Sequence, residues 1–209
     1  MFAAGAIVTM AVAQAQSADV LVYGATPAGI AAAINAARHN RTVALVEPSH
    51  RIGGLSAGGL SYTDFRDLES LSGTFRDYTR RVEAYYVKAY GPDSRQVKEC
   101  FFGTLAEPKV ALQAFKEMLA EYPAIRVYLN RSLTGAKTEA GRIVSATFSG
   151  SLSITASFFI DASYEGDLAA KAGAPYRIGR ESTQEYGERY AGHLFFKDGR
   201  ILLGSTGQG

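Results

Sequence analysis

The chain of 209 residues has room for one ordinary domain or slightly more. Hydrophobic residues make up 47% of it and charged residues 20%, which are values of a globular protein and not of a disordered one. The formal net charge of +2 gives no electrostatic reason to expect nucleic acid as a partner. Cys100 is the only cysteine, so the chain can form neither an internal disulfide nor a metal site built from several cysteines.

The first 18 residues are predicted to lie outside the fold. Residues 1–12 are apolar and mostly small, and Ala13-Gln14-Ala15 resembles a signal-peptide cleavage site. This run is too short to span a membrane as a helix. We therefore interpret residues 1–18 as a secretory signal peptide, although its start carries no Lys or Arg. The interpretation predicts an exported protein, periplasmic or secreted, that starts near Gln16 and has no membrane span after cleavage.

Residues 19–47 have the order strand, glycine turn, helix, strand and acidic residue. An apolar run ends at Tyr23, and the turn that follows is Gly24-Ala25-Thr26-Pro27-Ala28-Gly29. An alanine-rich helical run then extends to His39, and a second apolar run ends at Val46. This is the order of a dinucleotide-binding βαβ unit. The sequence therefore predicts an α/β fold with a nucleotide site at the turn.

The residue types of the turn each have a physical reason. Gly24 allows a sharp bend, Thr26 is a good N-cap, and Pro27 suits the first helical position. Gly29 keeps the helix thin enough to lie close to the sheet. Free N–H groups of the first helical turn can then face a phosphate. Thr26 stands where the pattern normally has its middle glycine, and its hydroxyl could also bind a phosphate oxygen.

Glu47 follows Gly24 by 23 positions and comes at the end of the second strand. A carboxylate at that place can accept hydrogen bonds from both ribose hydroxyl groups, and it disfavours a 2′-phosphate. These features fit an NAD-dependent dehydrogenase as well as a flavoprotein. They also fit an ordinary βαβ unit with a surface glutamate. The next motif, Arg51-Ile52-Gly53-Gly54, favours a flavoprotein, because a second glycine cluster suits a longer ligand than NAD.

At these residues the sequence resembles the two-dinucleotide-binding-domain flavoproteins, the glutathione-reductase-like group, which carry an acid followed by R-x-G-G. The motifs Y-G-A-T-P-A-G-I-A-A-A and E-P…I-G-G…G-G-L…T-D narrow the resemblance to the FAD-dependent oxidoreductase family, found in many bacterial secreted and carbohydrate-related proteins. The resemblance implies FAD as the cofactor and a Rossmann-like, three-layer FAD/NAD(P)-binding domain. The cofactor-binding residues that it implies here are Gly24, Ala25, Thr26, Pro27, Ala28, Gly29, Glu47, Arg51, Gly53 and Gly54.

Residues 66–123 are predicted to form a helical insertion. Aromatic residues recur at helical spacing over residues 74–90, and Gly91-Pro92 ends that helix. A second helix begins at Glu107-Pro108. Residues 56–67, which precede the insertion, are predicted to form a loop.

After a short strand at residues 125–129, two alternating runs at residues 143–148 and 152–156 predict an antiparallel hairpin within a β-meander. The next apolar residues, Phe158-Phe159-Ile160, predict a buried parallel strand that ends on Asp161-Ala162-Ser163. In the resembled family such a D-A-[ST] segment rejoins the cofactor, and the backbone after the earlier strand lies beside the adenine. The resemblance therefore implies Ala162, Ser163 and Leu133 as further cofactor-binding residues.

The resemblance covers about residues 19–190, and family members run considerably longer. It predicts that residues 19–209 are the N-terminal portion of an FAD-binding domain, incomplete at the C-terminus. The implied function is an FAD-dependent oxidoreductase acting on a small organic substrate, with carbohydrate-related compounds as one class. An NAD-dependent dehydrogenase and a truncated non-catalytic flavoprotein fragment stay as alternatives. No residue stands out as a catalytic base, and His193 is interpreted as structural.

Overall fold

The computed structural model describes residues 14–60, 62–188, 191–192, 194–198 and 200–203. His193 and residues 1–13 of the predicted leader lie outside this part. The chain divides into two compact units, Met1–Gly173 and Ala174–Gly209. In the part of the chain that the structure describes, no helix has both the length and the apolar composition needed to cross a membrane.

The first unit is built on one six-stranded sheet. Its strands are β1 (Gln14–Tyr23), β2 (Val43–Val46), β3 (Ile125–Tyr128), β4 (Leu133–Glu139), β5 (Arg142–Phe148) and β6 (Leu152–Asp161). Their order across the sheet is β3-β2-β1-β6-β5-β4. Strands β3, β2, β1 and β6 run parallel, whereas β4, β5 and β6 form an antiparallel meander. The predicted Rossmann-like α/β fold and its β-meander are confirmed.

Helices cover both faces of this sheet. On one face, α1 (Pro27–Arg38), α3 (Gly73–Tyr90) and α5 (Pro108–Ala120) pack on Val20, Val22 and Leu45. On the other face, the short helix α6 (Asp167–Lys171) and the meander share a core with Leu21 and Tyr23. The alternation of β1 side chains between two cores follows from the two-residue period of a strand. The result is the predicted three-layer arrangement.

The predicted helices at residues 74–90 and from Pro108 are confirmed by α3 and α5. A helix α4 (Arg95–Glu99) lies between them, and a 3-10 turn, Leu68–Ser70, precedes α3. The prediction that residues 56–67 form only a loop is wrong at its start, because a short helix α2 (Gly54–Gly58) reaches Gly58. Because this helix consists mostly of glycines and other small residues, a prediction based on apolar spacing does not detect it.

Strand β1 begins five residues earlier than the predicted Asp19. Residues 14–18 pair with residues 152–156 of β6. Their composition, with two glutamines and a serine, lacks the apolar alternation that marks a strand, and the pairing with β6 supplies what the sequence pattern does not. The predicted signal peptide is a separate question and stays a prediction.

The apolar end of β6 was predicted to be buried, and this is wrong, because Phe159 and Ile160 are only partly buried and Phe158 is exposed. The residue pairs with Val20 of β1 in parallel register, as predicted, yet its side chain is 63% exposed. Strand β5 pairs only with the first part of β6, up to Thr155. An apolar run predicts a strand, but it does not guarantee that packing elements lie on both of its faces.

The second unit contains a single helical turn, α7 (Thr183–Tyr186), and an antiparallel hairpin of β7 (Leu194–Lys197) and β8 (Arg200–Leu203). Arg177 forms an ion pair with Glu185 inside this unit.

Candidate dinucleotide-binding site

The predicted site residues converge at the carboxyl ends of the parallel strands. From β1 the chain proceeds outward through β2 and β3 and later returns to β6 on the other side of β1. The order of strands therefore reverses between β1 and β6. In open α/β sheets, ligands bind in the crevice at such a switch point. The glycine turn after β1, Glu47 after β2 and the Asp161-Ala162-Ser163 segment after β6 all lie at this edge.

Thr26 joins the two sides of the switch point. Its hydroxyl donates a hydrogen bond to the Ala162 carbonyl oxygen at 2.9 Å and accepts one from the Gly29 N–H at 3.2 Å. The side chain is therefore the N-cap of α1, as predicted. The hydroxyl has one proton, and Ala162 receives it, so the predicted donation to a phosphate oxygen is not what this geometry provides.

Two glycines are required by close backbone approaches. A Cβ on Gly29 would lie 1.9 Å from the carbonyl oxygen of Gly24. A Cβ on Gly24 would lie 2.8 Å from backbone atoms of Ala162 and Ser163, and its φ of +95° is in the region that favours glycine. These contacts hold the turn, the first part of α1 and the end of β6 against one another without side chains between them.

The Glu47 carboxylate lies under the turn and is almost buried, at 8% exposure. One oxygen, Oε2, accepts the Ala25 N–H at 2.7 Å, and the other, Oε1, accepts the Ser49 N–H at 2.9 Å. Each carboxylate oxygen has a further lone pair, so the group can still accept hydrogen bonds from ribose hydroxyls. The two backbone donors fix its orientation, which sequence spacing alone does not predict.

The second glycine cluster contacts the first. The Gly53 N–H donates to the Ala25 carbonyl oxygen at 2.7 Å. Gly53 and Gly54 have φ values of +92° and +48° and lead into α2. Arg51 donates from Nη1 to the carbonyl oxygen of Ala57 at 3.3 Å, so its side chain extends along α2. The cluster is thus a direct continuation of the site that begins at Gly24.

Tyr164 connects the second glycine cluster with the end of β6. Its hydroxyl accepts the Leu55 N–H at 2.7 Å, and a Cβ on Gly54 would lie only 2.2 Å from that hydroxyl. The sequence prediction did not include this residue. Its position directly after the Asp-Ala-Ser motif was the available signal, although nothing in the sequence indicates the partner.

Ser163 and Asp161 organise the start of α6. The Ser163 hydroxyl donates to Asp161 Oδ1 at 2.6 Å and accepts the N–H groups of Gly166 and Asp167. The other carboxylate oxygen of Asp161 accepts the Ala169 N–H at 2.9 Å. The side chain of Ser163 is therefore occupied in the loop, so any cofactor contact of the Ala162-Ser163 pair would come from its exposed surface.

Leu133 lies where the chain returns after β3, beside the segment that follows Glu47. The Glu47 carbonyl oxygen accepts the Arg131 N–H at 3.0 Å, and the Leu133 N–H donates to the Tyr23 hydroxyl at 3.2 Å. Burial raises the pKa of Tyr23, and the nearby carboxylates of Asp167, Glu47 and Asp161 raise it further. A neutral Tyr23 thus fixes the backbone that was predicted to adjoin an adenine.

The N-terminus of α1 suits an anionic ligand. Pro27 has no N–H, Thr26 satisfies that of Gly29, and Ala28 lies too early in the helix to have an intrahelical acceptor. The first turn of α1 carries no acidic side chain that would repel a phosphate. The free Ala28 N–H and the Glu47 carboxylate therefore fit a pyrophosphate next to a ribose.

The sequence model of the FAD dependent oxidoreductase family matches residues 19–203. The chain belongs to the FAD-dependent oxidoreductase family. FAD is accordingly the cofactor, as predicted, and the arrangement just described is where such a dinucleotide fits. No curated protein has a sequence that matches this chain.

Two solved structures resemble the chain over 81% of its length, each at 17% identity. They are L-proline dehydrogenase from P. horikoshii, with a TM-score of 0.53, and a geranylgeranyl bacteriochlorophyll reductase-like protein from Thermoplasma acidophilum, with a TM-score of 0.52. At this identity the likeness shows the fold alone. The match covers 59% and 45% of those two chains, so this chain spans about half the length of the structures it resembles.

The described residues outside this site show neither a metal site nor an exposed thiol. Among the described residues, no three His, Cys, Asp or Glu side chains are placed to hold a metal ion. Cys100 is buried, and its burial raises the pKa of the thiol. The structure brings the thirteen predicted cofactor residues to one edge of the sheet or to the loops beside it.

Proposed function

We propose that the protein is an FAD-dependent oxidoreductase acting on a small organic substrate, and that the described residues hold the ADP half of its cofactor. The observation that supports this is the convergence of three segments at the switch point between β1 and β6. Thr26 joins two of them through Ala162, and Ala25 joins the turn to both Glu47 and Gly53.

Each segment has a separate task in this proposal. The Ala28 N–H at the start of α1 binds the pyrophosphate, and Glu47 accepts the ribose hydroxyls. The backbone around Leu133 adjoins the adenine. The part of the ligand beyond the pyrophosphate continues past Gly53 and Gly54 and past the surface of Ala162-Ser163. These residues bind and orient the ligand.

When bound, FAD supplies the redox chemistry by accepting a hydride from the substrate at the flavin N5. The substrate class rests on the resemblance of the sequence to a family with carbohydrate-related members. Carbohydrate oxidation is therefore part of the proposal, and a panel of sugars is the first set of substrates to assay.

The decisive experiment measures flavin absorbance of the purified chain after FAD is added and the protein is desalted. A matched sample receives FMN, which lacks the AMP moiety of FAD. We expect FAD to be retained, FMN to be lost, and ADP to compete with FAD, because Glu47 and the α1 N-terminus recognise the ADP half. Equal retention of FAD and FMN would contradict this assignment.

Two carboxylate variants make the experiment specific. Glu47→Gln replaces one acceptor oxygen with an NH2 group that faces a backbone N–H, and we expect a loss of FAD affinity of about tenfold or more. Glu139→Gln removes the same charge at an exposed side chain paired with Lys137, and FAD affinity should not change. If both variants bind FAD alike, Glu47 has no part in the site.

The remaining alternatives give different results in the same assay. An NAD-dependent dehydrogenase would retain no flavin and would bind NADH, seen as a change in NADH fluorescence. A non-catalytic flavoprotein would retain FAD, but no substrate tested would reduce the bound flavin. The oxidoreductase proposal requires both retention of FAD and its reduction by a substrate.

We also propose that the protein is exported, on the basis of the apolar leader at residues 1–12. Cleavage after Ala15 would remove only two residues of β1 and leave Gln16, which contacts the Tyr128 hydroxyl at 2.8 Å, in place. Mass spectrometry of the protein from cell fractions tests this proposal. A mature N-terminus near Gln16 in an extracytoplasmic fraction is expected, and an intact Met1 in the cytoplasmic fraction alone would contradict it.

A further inference from the structure

A second cavity lies at the outer edge of the sheet, away from the switch point. It has a volume of about 550 Å³, within the range of small-molecule pockets. We name it the β3 groove. It is lined by His50, Arg51, Ile52, Leu112, Lys116, Leu119, Ala120, Ile125, Val127 and Leu129. Strand β3, helix α5 and the loop after Glu47 therefore form its walls.

The apolar lining of the β3 groove is wholly aliphatic, with no aromatic ring. Val127 and Leu129, on and just beyond the outermost strand, are partly exposed, and so is Leu112 on α5. A cleft of this kind offers surface to a flexible hydrocarbon chain and no flat face on which an aromatic ring could stack.

The charged lining of the β3 groove has one sign. His50, Arg51 and Lys116 are exposed basic residues, and none of the lining residues is acidic. Within the described residues, Lys116 and His50 form no ion pair, and Arg51 reaches only the carbonyl oxygen of Ala57. The residues one helical turn from Lys116 in either direction are apolar or amide-bearing, and Glu117, the acidic residue of α5, accepts a hydrogen bond from Gln113.

The β3 groove is distinct from the proposed cofactor site. Strand β3 is two strands away from β1, and adjacent strands are about 4.8 Å apart. Arg51 borders both places, but the α5 and β3 residues take no part in the switch-point crevice. The inference therefore does not depend on the proposed function.

We propose that the β3 groove binds a small aliphatic carboxylate. The hydrocarbon chain lies against Leu112, Ile125 and Val127, and the carboxylate meets the basic residues at the rim. A carboxylate accepts charge-assisted hydrogen bonds from lysine and arginine, which a neutral head group of the same size does not. An acidic residue in the lining would oppose such a ligand, and there is none.

Binding of octanoate and of octanamide to the full-length protein tests the proposal. The two compounds share their hydrocarbon chain and differ in the charge of the head group. Backbone amide shifts in the NMR spectrum locate the site and give the affinity. We expect octanoate to shift amides of β3 and α5 and to bind about tenfold more tightly than octanamide. Equal affinities, shifts confined to other elements, or no binding at about 10 mM octanoate would overturn the proposal.

Two substitutions separate a specific groove from general attraction to a basic surface. Lys116→Gln should weaken octanoate about fivefold and leave octanamide unchanged, because only the charged contact is removed. Lys98→Gln, at an exposed position on α4 that does not line the groove, removes the same charge and should have no effect. If both variants weaken octanoate equally, the effect is one of net charge and the groove is not the site.

Val127→Glu adds a carboxylate to the lining at an exposed edge-strand position, where the risk to folding is low. We expect this variant to keep its thermal unfolding temperature within a few degrees and to lose octanoate binding by tenfold or more. A folded Val127→Glu protein that binds octanoate as well as the wild type would overturn the proposal.

Discussion

Strands β1 and β6 are parallel neighbours of similar apolar composition, yet the side chains in their carboxyl-terminal halves are buried to very different degrees. Val20 of β1 is 6% exposed, whereas Phe158, its partner in register on β6, is 63% exposed. Strand β1 has β2 on one edge and β6 on the other, helices cover one of its faces, and the meander with α6 covers the other. The second half of β6 is paired with β1 alone.

The difference shows that burial belongs to the surroundings of a strand and not to its sequence. The glycines differ in the same way, in the space that surrounds each of them. A Cβ added to Gly24 or Gly29 would lie within 2.8 Å of backbone atoms, whereas a Cβ added to Gly58, at the end of α2, would meet nothing within 4 Å. We call β1 with its glycine turn the closed region, and Gly58 with the second half of β6 the open region. Identical substitutions in the two regions should therefore have different effects.

The largest effect is expected from Gly29→Ala. The added Cβ would lie 1.9 Å from the Gly24 carbonyl oxygen, so the turn or α1 must shift. We expect a loss of about 4 kcal/mol in the free energy of unfolding, or no folded protein. Gly58→Ala is the matched control in the open region, where alanine is expected to be neutral or slightly stabilising. Denaturant unfolding measures both, and equal losses would contradict the contrast.

The pair Leu21→Ala and Phe158→Ala tests the two strands directly. Leu21 is fully buried, and its truncation leaves a cavity that should cost about 2–5 kcal/mol. Truncation of the larger but exposed Phe158 should change the free energy of unfolding by about 1 kcal/mol or less. Urea midpoints at constant slope give both values. A cost for Phe158→Ala as large as that for Leu21→Ala would mean that its ring is covered in solution.

The sequence predicted the closed region well because its constraints are local. A sharp turn needs Gly24, a helix start needs Thr26 and Pro27, and a strand with both faces covered reads as a continuous apolar run. The order of these elements was enough to predict the βαβ unit, and the resemblance of the motifs to a known family implied the cofactor.

The features that the sequence could not predict depend on partners far along the chain. The bond from Thr26 to Ala162 spans 136 positions, and that from Leu55 to Tyr164 spans 109. No local sequence pattern shows that the Thr26 hydroxyl donates its proton to the Ala162 carbonyl oxygen. The early start of β1 is missed for the same reason, since residues 14–18 are recognisable as a strand only through their pairing with β6.

An intermediate effect is expected at Thr26, where the closed region meets β6. Thr26→Val keeps the shape but removes both hydrogen bonds of the hydroxyl, and it leaves the Gly29 N–H and the Ala162 carbonyl unpaired. We expect a cost of about 2 kcal/mol, roughly half from the lost N-cap and half from the lost bond to Ala162. Thr26→Ser keeps both groups and should restore most of the stability. If serine is no better than valine, packing of the methyl group matters more than the hydrogen bonds.

The smallest effect is expected at Asp19, on the exposed edge of the closed region. Its carboxylate accepts the Thr42 N–H at 2.7 Å and the Thr42 hydroxyl at 2.8 Å. The backbone hydrogen bond from Thr42, followed by the hydroxyl, lowers the pKa of Asp19 below its ordinary value of 3.8. Because the folded-state pKa is the lower one, the stabilisation is fully present above pH 3.8 and is lost as the pH falls through the lowered pKa.

Asp19→Asn should therefore unfold at a slightly lower urea concentration than the wild type at neutral pH, and the difference should shrink as the pH falls below 3.8. Asp93→Asn removes the same charge at an exposed position on another segment, and its difference from the wild type should not follow this course. A gap between wild type and Asp19→Asn that stays constant through the acid range would show that the ionised carboxylate does not hold β1 to the start of β2. The difference would then come from the change of side chain and not from the charge of the carboxylate.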